Sequence, residues 1–351
     1  MSALDVVRAR LDGAGMLARI AAQADDVERA LERLGAEPWP ALEAPDLIAV
    51  GALGGSAIGA DLTAGLYADQ MPRPLLTVRE YHWPACVRGH ALAVLSSYSG
   101  NTEETLALYR EAGTRGVDRV ALTTGGTLGA WCARDRVPVA KLPGGSPPRA
   151  ALFSSWVPLT GLLARLGWVP DPTADWREAA GVLRRGARRF GPDADDEANE
   201  ALALARAVQG RMVFLYAGSE RLGAVVTRVR NQLNENAKLL GHSAVVPELN
   251  HNEIVGWERP GPVHGAASLI VLRDREDSPE VAKRLTLTAE YAGEHGAAVH
   301  EWTSQGTSRL ARLASLIQFG DYLSFWLAML NGVDPTPIAS IDSFKRRLAT
   351  P

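Results

Sequence analysis

The run from Ala91 to Thr105 constrains this chain more than any other. Ala91-Leu92-Ala93-Val94-Leu95 is short and apolar, Ser96-Ser97-Tyr98-Ser99-Gly100-Asn101-Thr102 is rich in hydroxyls, and a helical pattern begins by Thr105. A short apolar run, then a Gly-containing turn, then a helix is the opening of a βαβ unit. Such a turn gathers hydroxyls and free backbone N–H groups at the positive end of a helix, a good place to hold a phosphate. No GxxxxGK[ST] is present. Hydroxyls and amides alone suit a small phosphorylated metabolite better than the triphosphate and magnesium of a P-loop.

The same alternation runs along the chain. Strand-like runs occur at Leu47-Ile48-Ala49-Val50, Leu75-Leu76-Thr77-Val78, Ala93-Val94-Leu95, Val120-Ala121-Leu122 and Val137-Pro138-Val139, with helical patterns between, such as Leu62 to Ala68 and Glu103 to Arg115. Residues 1 to about 40 read as helix. A second cycle starts at Met212-Val213-Phe214-Leu215-Tyr216-Ala217-Gly218-Ser219 and continues through Ser268 to Leu272 and Ala297 to Val299, with helices near Glu280 to His295 and Ser308 to Leu330. Strands alternating with helices predict parallel sheets. The fold class expected is α/β, with two tandem domains, each a mostly parallel sheet flanked by helices. The division expected is residues 1–168 and 169–351, with Val169-Pro170-Asp171-Pro172 beginning a linker and the acidic patch Asp193 to Glu197 in the same polar zone.

Composition narrows the function classes. The 351 residues leave room for two domains. A net charge of −3 without a long basic run gives no electrostatic support for nucleic acid or a membrane surface. Apolar stretches are interrupted well before a bilayer-spanning length, and the N-terminus lacks a secretory pattern. Cys86 and Cys132 are far apart and without CxxC spacing, which fits a reducing cytoplasm better than a disulfide framework or a zinc site.

Five segments carry candidate chemistry. Gly54-Gly55-Ser56-Ala57-Ile58-Gly59 follows a strand, and its glycines permit a tight turn and close approach to a ligand. It reads as a dinucleotide turn, as an ordinary βα turn, or as a partner of the Ser97–Thr102 turn across one crevice. In the last case Ser56, Ser97, Ser99 and Thr102 converge on one phosphate; singly, each could be a helix cap. Arg228 to Lys238 looks helical, yet Asn231, Asn234 and Asn236 are poor helix formers. Glu235 among those amides is a candidate general base, against a plain solvated face. Val246 to Trp257 packs His251, Asn250, Asn252, Glu248 and Glu253 together. His242, His251 and His264 with nearby Glu residues are conceivable metal ligands, but no HExxH-like spacing occurs, so no metal is expected. Gly144 to Ala151 projects Arg149 from a stiff Pro-Pro loop, as an anion clamp or as a surface arginine. The basic end Lys345-Arg346-Arg347 is either a solvated terminus or a closing element.

Taken together, GGSAIGxDL, SYSGNTEET, PPRAA, NQxNENAK, PELNHNEIxGW and GVDPTPIxxIxxxKxRL resemble the bifunctional phosphoglucose/phosphomannose isomerases, in the tandem sugar-isomerase (SIS) superfamily. The resemblance spans residues 47 to 348 in order. SYSGNT marks the superfamily; PELNHNE with NENAK is more specific. The resemblance implies reversible isomerisation of glucose 6-phosphate or mannose 6-phosphate to fructose 6-phosphate. It assigns the phosphate to Gly55, Ser56, Ser97, Ser99 and Thr102, the base to Glu235 and ring opening to His251 from a neighbouring subunit. It matches the loop arginine to Arg149 and the C-terminal lysine to Lys345. It implies a homodimer that needs no metal; no cofactor is expected, and the location expected from the cysteines is cytoplasmic. The family's GMGGSAIGGD reads here with Ala52 and Ala60 in place of glycines; Ala60 falls in a helix, and Ala52 would disturb the turn if a positive φ were needed there. Two alternatives remain at this point, a non-catalytic SIS sugar-phosphate sensor and an SIS isomerase for another phosphosugar.

Overall fold

In the computed structural model, which describes residues 3–36, 43–259 and 261–348, the apolar runs pair into two all-parallel sheets. The first contains β1 (Leu47–Ala52), β2 (Leu75–Val78), β3 (Ala91–Ser96), β4 (Asp118–Thr123) and β5 (Val139–Lys141), in the order β2-β1-β3-β4-β5. The second contains β6 (Met212–Gly218), β7 (His242–Val246), β8 (Ala267–Arg273) and β9 (Ala298–Thr303), in the order β7-β6-β8-β9. Every position of β1 and β3 is buried, as expected of strands covered on both faces. Their register sets Val50 opposite Val94 and Ala52 opposite Ser96. In each sheet the order reverses beside its first strand, between β1 and β3 and again between β6 and β8. Such a reversal opens a crevice at the carboxyl ends of the strands.

The N-terminal helix expected over residues 1 to about 40 is three helices, α1 (Ala3–Leu11), α2 (Met16–Ala21) and α3 (Gln23–Ala36); residues 1, 2 and 37–40 lie outside those described. Asp12 makes the break, accepting the N–H groups of Met16 and Leu17 at 2.6 and 3.1 Å, with Gly15 at φ 73°. α4 (Gly54–Leu66), α5 (Glu103–Thr114), α6 (Gly126–Asp135) and α7 (Leu152–Arg165) flank the first sheet. Residues 169–172 lie between α7 and α8 (Thr173–Phe190), and the acidic patch at residues 193–197 lies between α8 and α9 (Glu200–Val208), so two helices occupy most of this polar zone. Trp176, Val182, Leu183 and Phe190 bury one face of α8, and its arginines cover the other. α10 (Ser219–Ala237), α11 (Pro262–Ala266), α12 (Pro279–Glu294), α13 (Arg309–Leu330) and α14 (Ala339–Leu348) complete the chain. β7 is a strand that the sequence pattern does not announce, and the expected run at Val137–Val139 becomes strand only from Val139, since Pro138 has no N–H to give, although its carbonyl accepts the Ala121 N–H at 2.9 Å.

α13 organises the interior. It is long and apolar enough to cross a membrane, but 94% of its apolar window is buried inside the protein. It packs against α8, α9 and α10, while α10 also packs on α4 of the first half. One continuous core therefore joins the two sheets. Within it Trp156 of α7 meets Trp176 edge-on at 4.9 Å, and its indole N–H donates to Thr63 of α4 at 3.0 Å. Trp156→Ala should cost about 3–5 kcal/mol of stability, read as a lower urea midpoint; an unchanged midpoint would contradict this packing.

Candidate active site

β1 and β3 end side by side where the strand order reverses, and α4 and α5 start there. Leu53 and Thr102 occupy the two cap positions, and neither makes a side-chain cap bond. The hydroxyls are engaged with one another and with the turn. Ser97 Oγ lies 2.9 Å from Thr102 Oγ1 and accepts the Gly100 N–H at 3.1 Å. Ser99 is exposed, its Oγ accepting the Asn101 N–H at 3.2 Å. The Tyr98 N–H donates to Ser56 Oγ at 3.3 Å, which joins the two turns across the crevice. Ala52 lies in the strand and the positive φ falls on Gly54, so the alanine leaves the turn intact.

A third loop, not anticipated from the sequence, supports this cradle. Thr124 Oγ1 donates to the Tyr98 carbonyl at 2.8 Å, Thr127 N–H donates to Asn101 Oδ1 at 3.0 Å, and Leu128 N–H donates to the Gly100 carbonyl at 2.9 Å. Gly100 sits at φ 70°, and a Cβ there would lie 1.9 Å from the Gly125 oxygen, so only glycine fits. The signal in the chain is Gly125-Gly126, close behind a strand. On the other side Tyr98 Oη donates to the Pro143 carbonyl at 2.9 Å and accepts the Ser146 N–H at 3.1 Å. The phosphate-type turn thereby pins the loop that carries Arg149. A Cβ on Gly55 would lie 3.2 Å from the Pro148 oxygen, so the glycine turn and that loop are in close approach.

Arg149 is not a surface arginine; it is 3% exposed. Its Nε donates to Asn236 Oδ1 at 2.7 Å, and its Nη2 donates to the carbonyls of Pro335 and Thr336 at 2.7 and 2.8 Å. Nη1 faces Glu235, 3.5 Å from Oε2. Burial pulls the guanidinium below its ordinary value; Glu235 opposes this and Arg228 adds to it. Nor is the asparagine-rich segment a solvated face. Arg228, Gln232 and Asn236 are buried at 2%, 2% and 0% exposure, while Glu235 is half-buried at the surface end of α10. Arg228 bonds both oxygens of the buried Asp321, at 3.0 and 2.9 Å, and donates to the Arg149 carbonyl at 2.9 Å. Gln232 and Gln23 complete the coordination of Asp321.

Three successive contacts thus run from the hydroxyl cradle to the carboxylate: Tyr98 to Ser56, Gly55 to the Arg149 loop, and Arg149 to Glu235. An open groove of about 580 Å³ lies beyond Glu235, lined by Lys238, Leu240, Pro337 and Ile341 among others. Lys238 bonds the Glu235 carbonyl at 2.6 Å and the Pro337 carbonyl at 2.7 Å; burial and then Arg149 pull it below its ordinary value. Thr336 Oγ1 is buried without a hydrogen-bond partner. Neither Lys238 nor Thr336 stands out in the sequence. His251 is exposed on a short 3₁₀ turn, and Lys345 is exposed on α14, a helix with no buried residue. His242 lies on β7, 2.9 Å from Glu253, and His264 accepts the Gly261 N–H. Among the described residues no group of three His, Cys, Asp or Glu side chains is arranged to hold a metal ion.

Comparison with known proteins adds three findings. Residues 197–348 match the family model described as the bacterial phospho-glucose isomerase C-terminal SIS domain. The chain is 38% identical over 304 residues to a bifunctional phosphoglucose/phosphomannose isomerase of Caldicellulosiruptor bescii, covering 87% of this chain and 90% of that one. It is 30% identical to one of Thermoplasma acidophilum, covering 86% and 89%. Among solved structures, a hypothetical protein of Thermus thermophilus superposes with a TM-score of 0.72 at 18% identity, covering 99% of this chain and 94% of that one. A glucose-6-phosphate isomerase-like protein of the same organism gives 0.58 at 20%, covering 93% and 96%. These two likenesses concern the fold alone.

The half that matches the family model has its own crevice, between β6 and β8, with different chemistry. Asp274 Oδ1 accepts from Arg312 Nε at 2.6 Å, from Ser304 at 3.0 Å and from the Glu276 N–H at 3.2 Å. Glu276 pairs with Arg312, and Asp277 accepts the Asp274 N–H at 3.0 Å. Burial, with the charge of Asp274 beside it, pushes the Asp277 carboxyl up to about 6. The loop after β8 thus carries carboxylates where the loop after β3 carries hydroxyls. Because the folded state holds the Asp277 proton to higher pH than the unfolded chain, ionisation of this group lowers stability as pH rises through about 6. Asp277→Asn should therefore gain stability over the parent at about pH 8 and not at about pH 4; equal denaturant midpoints at both pH values would contradict the burial assigned to this carboxyl.

Proposed function

Because the chain belongs to the bifunctional phosphoglucose/phosphomannose isomerase family, we propose that its crevice between β1 and β3 holds the sugar phosphate and that Glu235 is the base. The activity is reversible aldose–ketose isomerisation, taking glucose 6-phosphate, mannose 6-phosphate or both to fructose 6-phosphate. The observation that carries the site assignment is Arg149, which touches the glycine turn through its backbone and faces Glu235 through Nη1.

Gly55, Ser56, Ser97, Ser99, Thr102 and the uncapped helix starts take the phosphate. The phosphate is remote from the reacting carbons, so its binding energy positions them. Glu235 removes the proton from C2 and returns it to C1 through an enediolate. A carboxylate suits this task because the proton lies beside a carbonyl and must move in both directions. Nη1 of Arg149 stabilises the developing oxyanion in a largely desolvated setting. Glucose and mannose phosphates differ only at C2, so a base that accepts either configuration serves both. By this division residues 1–168 hold the phosphate and residues 169–351 supply the base.

His251 assists ring opening, with Lys345 closing over the site. Both side chains are exposed, His251 on its own loop, which supports delivery of His251 to a second copy of the chain in a homodimer. A cytoplasmic location agrees with two free, unpaired cysteines. A sensor would keep the hydroxyl turns but would have no use for a buried arginine held against a carboxylate.

Glu235→Gln should lower turnover at least roughly a hundredfold with an unchanged unfolding midpoint, in a coupled assay with glucose 6-phosphate and mannose 6-phosphate; near-parental turnover would refute the assignment. Ser99→Ala should chiefly raise KM, and a fall in kcat alone would place that hydroxyl outside the phosphate cradle. The parent should keep its activity in the presence of a chelator.

A further inference from the structure

The Arg149 guanidinium has five N–H protons and no acceptor. Three are taken by Asn236 Oδ1 and the carbonyls of Pro335 and Thr336. Among the described residues the two on Nη1 have no hydrogen-bond acceptor, and they face Glu235 across 3.5 Å. A free arginine beside a carboxylate closes to a two-pronged pair at roughly 2.7–2.9 Å. This one is held short of that.

The restraint comes from the helix that carries Glu235 itself. Asn236 is the next residue, turned inward and fully buried. The orientation of its amide is fixed by chemistry. Arginine can only donate, so the atom facing Nε is the oxygen, and the nitrogen points to Ser324 Oγ at 3.0 Å. Ser324 uses its own proton on the Asp321 carbonyl at 2.7 Å, which leaves a lone pair for Asn236. The other end of Arg149 is fixed by the same helix, through Arg228 on its carbonyl.

We propose that Asn236 is a positioning residue that holds Arg149 back from a closed ion pair with Glu235, so that the carboxylate stays free to take a proton and Nη1 stays free for the developing oxyanion. The inference rests on the reading of Glu235 as base and Arg149 as oxyanion partner. A closed pair would harm both roles at once. It would favour the ionised carboxylate, making it a weaker base, and would spend the two protons the transition state needs. The other charge facing Glu235 is Lys238, while Asp334 faces Arg149 and Lys238 and Arg228 lies behind Arg149. Replacing Asn236 alters none of them, so any change in proton affinity at the site reports where Arg149 has moved.

The test is Asn236→Leu, close to isosteric but without the acceptor, alongside Ser324→Ala, which keeps Asn236 and frees its amide to turn. Asn236→Leu should lower kcat by about ten- to a hundredfold, leave KM within about twofold because the phosphate cradle is untouched, and move the acid limb of kcat/KM to lower pH. Ser324→Ala should show the same pattern to a smaller extent, and it decides the matter if the leucine variant does not fold. An unmoved acid limb in the folded variants, or a rise in KM without loss of kcat, would overturn the inference. Glu235→Gln measured in parallel separates the two levels. Full turnover in that variant would remove the underlying reading, whereas its loss beside an unaltered Asn236→Leu profile would overturn this inference alone.

Discussion

The burial of one guanidinium governs how the two halves meet. Arg149 lies inside the protein with its charge intact, and every acceptor it uses comes from elsewhere in the chain: the side chain of Asn236 on α10 and two carbonyls that follow α13. Its own carbonyl is bound by Arg228, which is paired in turn with Asp321 on α13. Leaving such a buried charge unpaired costs about 3–5 kcal/mol, a large part of the roughly 5–15 kcal/mol that typically holds a domain folded. The loop from the first half and α10 from the second therefore dock in one register. That register sets Glu235 opposite Nη1. The apolar core around α13 supplies the bulk of the association, and the polar network chooses among the ways the helices could slide.

Topology provides a place for a ligand in each sheet, and side chains decide which place is used. Both sheets reverse their strand order beside the first strand, and both have a helix starting at each end of the crevice. In the first, the loop after β3 offers hydroxyls, glycine and uncapped amides. In the second, the loop after β8 offers Asp274, Glu276 and Asp277, with Arg312 already paired to the first two. The loop after β8 therefore spends Asp274 and Glu276 on internal ion pairs with α13 and, among the described residues, offers no hydroxyl cradle like the one after β3. A shared scaffold thus carries one crevice lined by hydroxyls and uncapped amides and one structural ion cluster, a case of fold leaving function to the residues on it.

What the sequence made legible was local. The hydroxyl turn, its strand and its helix are neighbours in the chain, so their chemistry could be read without knowing the fold. The oddity of Asn231, Asn234 and Asn236 in a helix was also visible, but not its cause. Only the docking of α10 on α13 and on the Arg149 loop separates the inward Asn236 from the outward Asn234. The α8–α9 region resembles a linker because its Pro-rich entry and acidic turn mask the period of Trp176, Val182 and Leu183. β7 is hidden because His242 and Ser243 break its apolar pattern. The supporting loop at Thr124–Leu128 has short, common residues whose role emerges only when Gly100 is found pressed against Gly125. Lys238 and Thr336 are equally inconspicuous, because they reach the site through turns after helices.

α14 shows how far a single chain can complete such a site. An isolated helix of ten residues is marginal in water and depends on a buried face. Yet no residue of α14 is buried, and Ile341, Phe344 and Leu348 stand 41%, 65% and 63% exposed at helical spacing. Leu240, across the groove from Ile341, is 79% exposed. The apolar stripe and the groove beside Glu235 are therefore neighbours, each with uncovered surface. Lys345 follows Phe344 directly, so whatever covers the stripe fixes the lysine's position as well. The exposure of His251 on its separate loop belongs to the same pattern. Of the groups assigned to phosphate binding and proton transfer, Ser97 and Arg149 are locked by burial within one chain, whereas Ser56, Thr102 and Glu235 are half-buried and Ser99 is exposed. His251 and Lys345, assigned to ring opening and closure, are instead exposed side chains, one on a 3₁₀ turn and one on a helix with no buried residue, and a helix of that length gains stability when its apolar stripe is covered.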